Sequence, residues 1–242
     1  MTDLQTLKSG ESFTSEELSN LFEANVPKIG FKTEGSERLF YSSLRCALEE
    51  TIQAPFIALE IGTATGLTTR GMQSYISGWH ADTGIVPLWK IISCDLPDGW
   101  SLNVDQLKKN LPNKSLIDAS GQCKPSPDNH VAVYLSPSKK VLASPVVPHI
   151  NFAFIDGCHC YQCVFKDFIN VTKKLVQNGI IVFHDTGKSI QSPDNHSKHG
   201  KHMIYTRLAV EDIINVFGDG FELLANLEAD DKQNGMIIVR KR

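Results

Sequence analysis

The sequence predicts an α/β fold, a doubly wound sheet of seven strands that is mostly parallel, ends in an antiparallel hairpin and is preceded by helices. Three observations predict it. Short apolar runs without polar alternation, such as Phe56 to Ile61 and Ile180 to Phe183, read as strands buried on both faces. Stretches of helical periodicity separate these runs, and the runs stop at a glycine or beside an acid: Gly62, Asp95, Asp156 and Asp185. Finally, Phe221 to Leu227 and Met236 to Val239 flank the turn-rich 230–235, the pattern of a hairpin.

Taken in order, the first fifty residues read as helical. Thr14-Ser-Glu-Glu17 fits a capping box, in which the Thr and Glu side chains satisfy exposed backbone donors, and Leu18, Leu21 and Phe22 then share a face. A second helix is expected from Ser36 to about Gln53, on the recurrence of Leu39, Ser43, Leu44, Ala47 and Leu48, with Pro55 as its stop. Residues 1–54 thus form a helical cap ahead of a main unit, 55–242. A helix and a Gly/Trp/Pro-containing connection, Ser77 to Trp89, lead from the first strand to the second, Ile91 to Cys94. Ser101 to Asn110 reads as a short helix, Ser120 to Asn129 as a polar loop, and Val131 to Leu135 as the third strand. The fourth and fifth strands, Phe152 to Ile155 and Ile180 to Phe183, flank a helix over Tyr161 to Gln177. Its stripe is Val164, Phe168, Val171 and Leu175, and Gly179 stands where a left-handed cap belongs. A loop, Gly187 to His202, and a helix, Tyr205 to Phe217, precede the hairpin. No internal repeat is present.

Composition narrows the function classes. A chain of 242 residues with 41% hydrophobic and 21% charged residues matches a soluble globular protein. The formal charge of -3 gives no reason to expect a nucleic-acid partner. No apolar stretch reaches the roughly 18 residues of a membrane span, and the first ten residues lack a secretory pattern, so a cytoplasmic location without membrane association is expected. Cysteines at 46, 94, 123, 158, 160 and 163 are too sparse and uneven for a disulfide scaffold, which leaves reduced thiols as the expectation.

Open parallel sheets bind ligands outside the carboxyl ends of their strands, so Asp156, His159, His184 and Asp185 are expected at one edge. Two carboxylates and two imidazoles sharing a cleft suggest chemistry. On the first strand, Glu60-Ile-Gly62-Thr-Ala-Thr-Gly66 passes from strand to helix, where glycine permits a tight turn and free amides face the cleft. Ala64 replaces the second glycine of the dinucleotide fingerprint, so a pyrophosphate would be crowded. Asp95 ends the next strand, where an acid can accept from both hydroxyls of a ribose.

Together, Glu60-Ile-Gly62-x-x-x-Gly66, Asp95, Phe154-Ile-Asp156-Gly-x-His159-x-Tyr161 and Phe183-His184-Asp185 resemble a class I S-adenosylmethionine-dependent methyltransferase with its Rossmann-like sheet. Within that superfamily the chain is most similar to the metal-dependent group of macrolide-sugar and rhamnosyl O-methyltransferases, from about Phe56 onward. The resemblance implies that Glu60, Gly62, Thr63 and Gly66 hold the methionine part of S-adenosylmethionine and Asp95 its ribose. It implies that Asp156, His184 and Asp185 bind a divalent metal and that His159 is the general base. Magnesium is the family's ion, but an imidazole at 184 suits manganese, iron or zinc better. Alternatively, His184 is a strand-end histidine satisfied by backbone groups.

The reading that follows is an O-methyltransferase acting on a hydroxyl of a small metabolite, such as a sugar or polyketide-derived acceptor; homo-oligomer formation is compatible with it. A non-haem iron oxygenase and a non-catalytic S-adenosylmethionine-binding protein are the alternatives. Cys158-His-Cys160-Tyr-Gln-Cys163 can be read as zinc ligands or, more simply, as small buried side chains. His196, His199 and His202 lie in the loop that could close as a lid or remain a surface loop, and Trp79, Trp89 and Trp100 serve packing or acceptor contact.

Overall fold

Along each central strand, alternate side chains feed two separate cores, as the two-residue period of a strand requires. In the computed structural model, Phe56, Ala58, Ile91, Val131, Phe152, Phe154, Ile180 and Val182 join one core, while Ile57, Leu59, Ile92, Ala132, Ala153, Ile155, Ile181 and Phe183 join the other. The structure describes residues 28–31, 35–51, 55–84, 88–97, 102–111, 130–187, 205–228 and 235–242, and the backbone of Ser12–Phe13 and Ser115–Ile117. Sequence expectations for the capping box at Thr14, the loop 120–129, Trp100 and residues 188–202 lie outside these.

The strands are β1 (Ser12–Phe13), β2 (Phe56–Ile61), β3 (Trp89–Asp95), β4 (Ser115–Ile117), β5 (Val131–Leu135), β6 (Ile150–Ile155), β7 (Leu175–His184), β8 (Phe221–Leu227) and β9 (Met236–Lys241). They form one sheet in the order β1-β8-β9-β7-β6-β2-β3-β5-β4. From β2 the chain moves outward through β3 to β4 and β5, then returns to lay β6 on the other side of β2. The point where strand order reverses lies between β2 and β6, and ligand crevices open at such a point. β9 runs antiparallel to both β7 and β8, giving the C-terminal hairpin.

One core holds α1 (Ser36–Glu49), α2 (Leu67–Thr83) and α3 (Val104–Asn110) against the sheet; the other holds α4 (Ser138–Ala143), α5 (Tyr161–Thr172) and α6 (Thr206–Phe217). The result is a three-layer α/β/α arrangement. α1 packs through Leu39, Phe40, Leu44 and Leu48, all fully buried, so this part of the expected cap shares the sheet's core. No described helix is long and apolar enough to cross a membrane.

Several boundaries differ from the sequence expectation for physical reasons. The seven anticipated strands are joined by β1 and β4, edge segments of two and three residues that are too short to show a pattern. α4 is missed for the same reason. α2 runs through Trp79 to Thr83, where Gly84 (φ 65°) caps it, and Trp89 opens β3. α5 stops at Thr172 because Leu175 pairs with Ile150 and starts β7; the register then shifts before Phe152 meets Ile180. The left-handed residue in that irregularity is Asn178 (φ 61°). Gly179 is needed for room instead, since a Cβ there would come within 2.8 Å of Leu175 and 2.9 Å of the Val176 carbonyl.

Candidate active site

At the end of β2 the chain turns through Gly62 (φ 100°), Ala64 (φ 46°) and Gly66 (φ 77°) into α2. A Cβ on Gly62 would collide with the carbonyl of Asp156, so the glycine loop lies directly on the turn after β6. A main-chain bond fixes this contact, Asp156 N–H donating to the Ile61 carbonyl (2.9 Å), while Gly62 N–H donates to the Cys94 carbonyl on β3 (2.8 Å). Gly66 rests on α3, where a Cβ would approach Leu107 to 2.7 Å, and the Asn110 amide donates to the Thr65 carbonyl (2.7 Å). Asn110 was not singled out in the sequence, because nothing local marks a helix-end Asn as a loop support.

Beneath the loop, Glu60 is buried and receives hydrogen bonds from Thr69 and Ser93, while the Thr63 and Ser93 hydroxyls bond to each other. Burial pushes the Glu60 carboxyl up to about 8 despite these donors, so it is largely a neutral acid near pH 7. Glu60 and Thr63 therefore turn their side chains into a network that shapes the loop. The polar residues Thr69 and Ser93 complete it, and Ser93 inside an otherwise apolar strand was the available signal.

Asp95 lies across from the loop. Its Oδ2 accepts from Ala64 N–H and its Oδ1 from Leu96 N–H, both at 2.8 Å, and burial raises its carboxyl above the ordinary value against those donors. Each carboxylate oxygen has a second lone pair, which leaves acceptor capacity for a ligand hydroxyl.

The ends of β6 and β7 carry the charged part of the site. One ligand-type atom from each of Asp156, His184 and Asp185 lies within 4.8 Å of the others. His184 Nδ1 is 3.0 Å from Asp156 Oδ1 and 3.3 Å from Asp185 Oδ1; His159 Nε2 is 3.3 Å from Asp156 Oδ1 and 3.5 Å from Asp185 Oδ2. His184 is thus paired with carboxylates rather than with backbone groups. All four residues anticipated from the two acid-ended strands come together. Burial works against the charge of Asp156, but His184 and His159 outweigh it and hold the carboxyl at about 2. Burial likewise disfavours protonation of both imidazoles, and the carboxylates override it, so His159 and His184 lie above the ordinary histidine value.

Asp185 adopts φ 55°, a left-handed conformation uncommon outside glycine. Such strain is found where surrounding structure dictates a side-chain direction. Phe31, just ahead of α1, stacks on the His184 ring (4.6 Å between centroids, 27° between planes). An oxygen–nitrogen–oxygen donor set of this size fits a divalent transition ion. Trp79 packs at the rim of the first core, and Trp89 stacks on His130 (4.2 Å) at the opposite end of β3 from Asp95, so both serve packing.

The sequence over residues 59–186 matches the family described as a methyltransferase domain. No curated protein matches it. Among solved structures it is similar to an O-methyltransferase from Bacillus cereus in complex with SAH, at 13% identity, TM-score 0.51, covering 83% of this chain and 80% of that one. It is also similar to the O-methyltransferase TomG from Streptomyces achromogenes, involved in tomaymycin synthesis and complexed with SAM (11%, TM-score 0.52, 98% and 93%). A putative rRNA-methylase from Clostridium thermocellum is comparably similar (10%, TM-score 0.54, 84% and 97%). At these identities the likeness concerns the fold.

Proposed function

The chain belongs to the methyltransferase-domain family, and from that premise we propose that it transfers a methyl group from S-adenosylmethionine to a hydroxyl of a small metabolite. The observation that carries this reading is the contact of Gly62 with the Asp156 turn, which sets the glycine loop and the acid–imidazole cluster side by side at the strand reversal. Methyl transfer requires an in-line approach of oxygen to a sulfonium carbon, so the two binding regions must adjoin. The net charge of -3 and the two carboxylates at the site favour a small acceptor over RNA.

The backbone around Gly62 and Gly66 receives the donor's methionine part, and the remaining acceptor capacity of Asp95 receives its ribose hydroxyls. Glu60 and Thr63 act from below by stiffening that loop. Asp156, His184 and Asp185 would hold a divalent ion, which when bound lowers the pKa of an acceptor hydroxyl as a Lewis acid. His159 accepts the hydroxyl proton at a ring nitrogen, with Asp156 and Asp185 stabilising the imidazolium that forms. With the methyltransferase family shown, the oxygenase alternative is set aside.

Calorimetric titration of the protein with S-adenosylhomocysteine, with and without a panel of divalent ions, tests the reading. Binding is expected, and His159→Ala should retain it while methyl transfer to a hydroxyl acceptor falls by at least about a hundredfold. No heat with either S-adenosylmethionine or its product form would defeat it. Donor binding without transfer to any acceptor or ion would instead favour the non-catalytic alternative.

A further inference from the structure

The turn that delivers His159 to the carboxylates carries three thiols that the methyl-transfer chemistry does not use. Cys160 is the N-cap of α5 (φ -73°, ψ 145°), and its Sγ accepts from Cys163 N–H at 3.4 Å. Residues three apart face each other across a first helical turn, so Cys163 returns over Cys160. Cys158 reaches the same place from two residues upstream. The three sulfurs all lie within 4.8 Å of one another, and all three residues are partly exposed, so an ion can enter from solvent. Tetrahedral zinc with Zn–S bonds of about 2.3 Å spaces its sulfurs about 3.8 Å apart, a contraction of about an ångström from the observed limit.

His159 sits between two of these cysteines in sequence, yet its ring is directed to Asp156 and Asp185. The 156–163 segment therefore presents two donor sets of different character: oxygen and nitrogen on one, sulfur on the other. Three thiolates select soft or borderline ions over magnesium or calcium.

We propose that Cys158, Cys160 and Cys163 form a three-thiolate site for zinc, distinct from the Asp156–His184–Asp185 cluster, with the fourth coordination position open to solvent. Binding exchanges the thiol protons to solvent and involves no change of oxidation state. The bound ion ties the turn to the first turn of α5 and so fixes the segment from which His159 projects. This assignment stands independently of the methyl-transfer reading.

Cobalt(II) added to the reduced, metal-stripped full-length protein is the probe. One equivalent should give a near-ultraviolet thiolate-to-cobalt charge-transfer band, and zinc should displace it. Cys160→Ser/Cys163→Ser should lose the band, whereas Asp185→Asn should keep it. Alkylation of the wild-type protein, read by peptide mass spectrometry, checks the site without any substitution. At a zinc concentration a hundred times Kd, labelling at 158, 160 and 163 should slow by about a hundredfold, and S-adenosylhomocysteine should not reproduce this. Absence of the band, its persistence in the cysteine variant, its loss in Asp185→Asn, or unprotected alkylation would each overturn the assignment. None of these readouts depends on donor binding or turnover.

Discussion

The loop after β2 and the turns after β6 and β7 touch through Gly62 and Asp156, yet they are built by opposite means. The loop takes its shape from positive-φ backbone and from the neutral, buried hydrogen bonds of Glu60, Thr63, Thr69 and Ser93. The β6 and β7 ends rely on charge: two carboxylates and two imidazoles within 3.5 Å of a partner, with Asp156 held as an anion. A region meant to enclose a ligand by its backbone needs space and rigidity. On the proposed reading the second region holds an ion and moves a proton, which needs titratable groups that stay charged.

The sharpest way to break this contrast is at the point of contact. Gly62→Ala places a Cβ against the Asp156 carbonyl at φ 100°, where an alanine is strained regardless of space. We expect a stability loss of at least about 3 kcal/mol in urea unfolding, with loss of S-adenosylhomocysteine binding. A wild-type midpoint and affinity would show that the close approach is not structural.

Glu60→Gln comes next and separates the two regions by pH. The folded-state Glu60 carboxyl lies at about 8, above its ordinary 4.5, so the folded form binds more protons than the unfolded chain between those values. The stability it contributes is full below about pH 4.5 and is lost as pH rises through 8. The glutamine variant should lack this decline and be more stable than the wild type at pH 9, by on the order of a few kcal/mol. Urea midpoints from pH 5 to 9 measure it; identical slopes in the two proteins would mean that Glu60 is ionised in the fold.

The smallest effect is expected at the charged end's apolar support. Phe31→Leu removes the ring stacked on His184, for about 1 kcal/mol of stability, and should reduce methyl transfer a few-fold while sparing donor affinity. An equal loss in donor binding would show that the two regions are less separate than their construction suggests.

Much of this site was legible because strand-end chemistry follows chain order. Apolar runs ending at Gly62, Asp95, Asp156 and His184-Asp185 needed only the rule for parallel sheets to bring them to one edge. Less accessible was whatever depended on partners distant in sequence. Leu175 and Gly179 fit a helix by local pattern, but pairing of Leu175 with Ile150 drew them into β7. Phe31 carries no local sign that it will stack on a residue 153 positions later.

By itself, then, the sequence determined the alternation of strands and helices, the place of the glycine loop and the identity of the residues at the strand ends. These follow from hydrophobic period and from backbone preferences, which act over a few residues. Only the tertiary structure decided that Glu60 and Thr63 face into the protein and that His184 pairs with carboxylates. Burial, charge pairing and close packing are properties of neighbours in space, and the chain acquires those neighbours only when the sheet assembles.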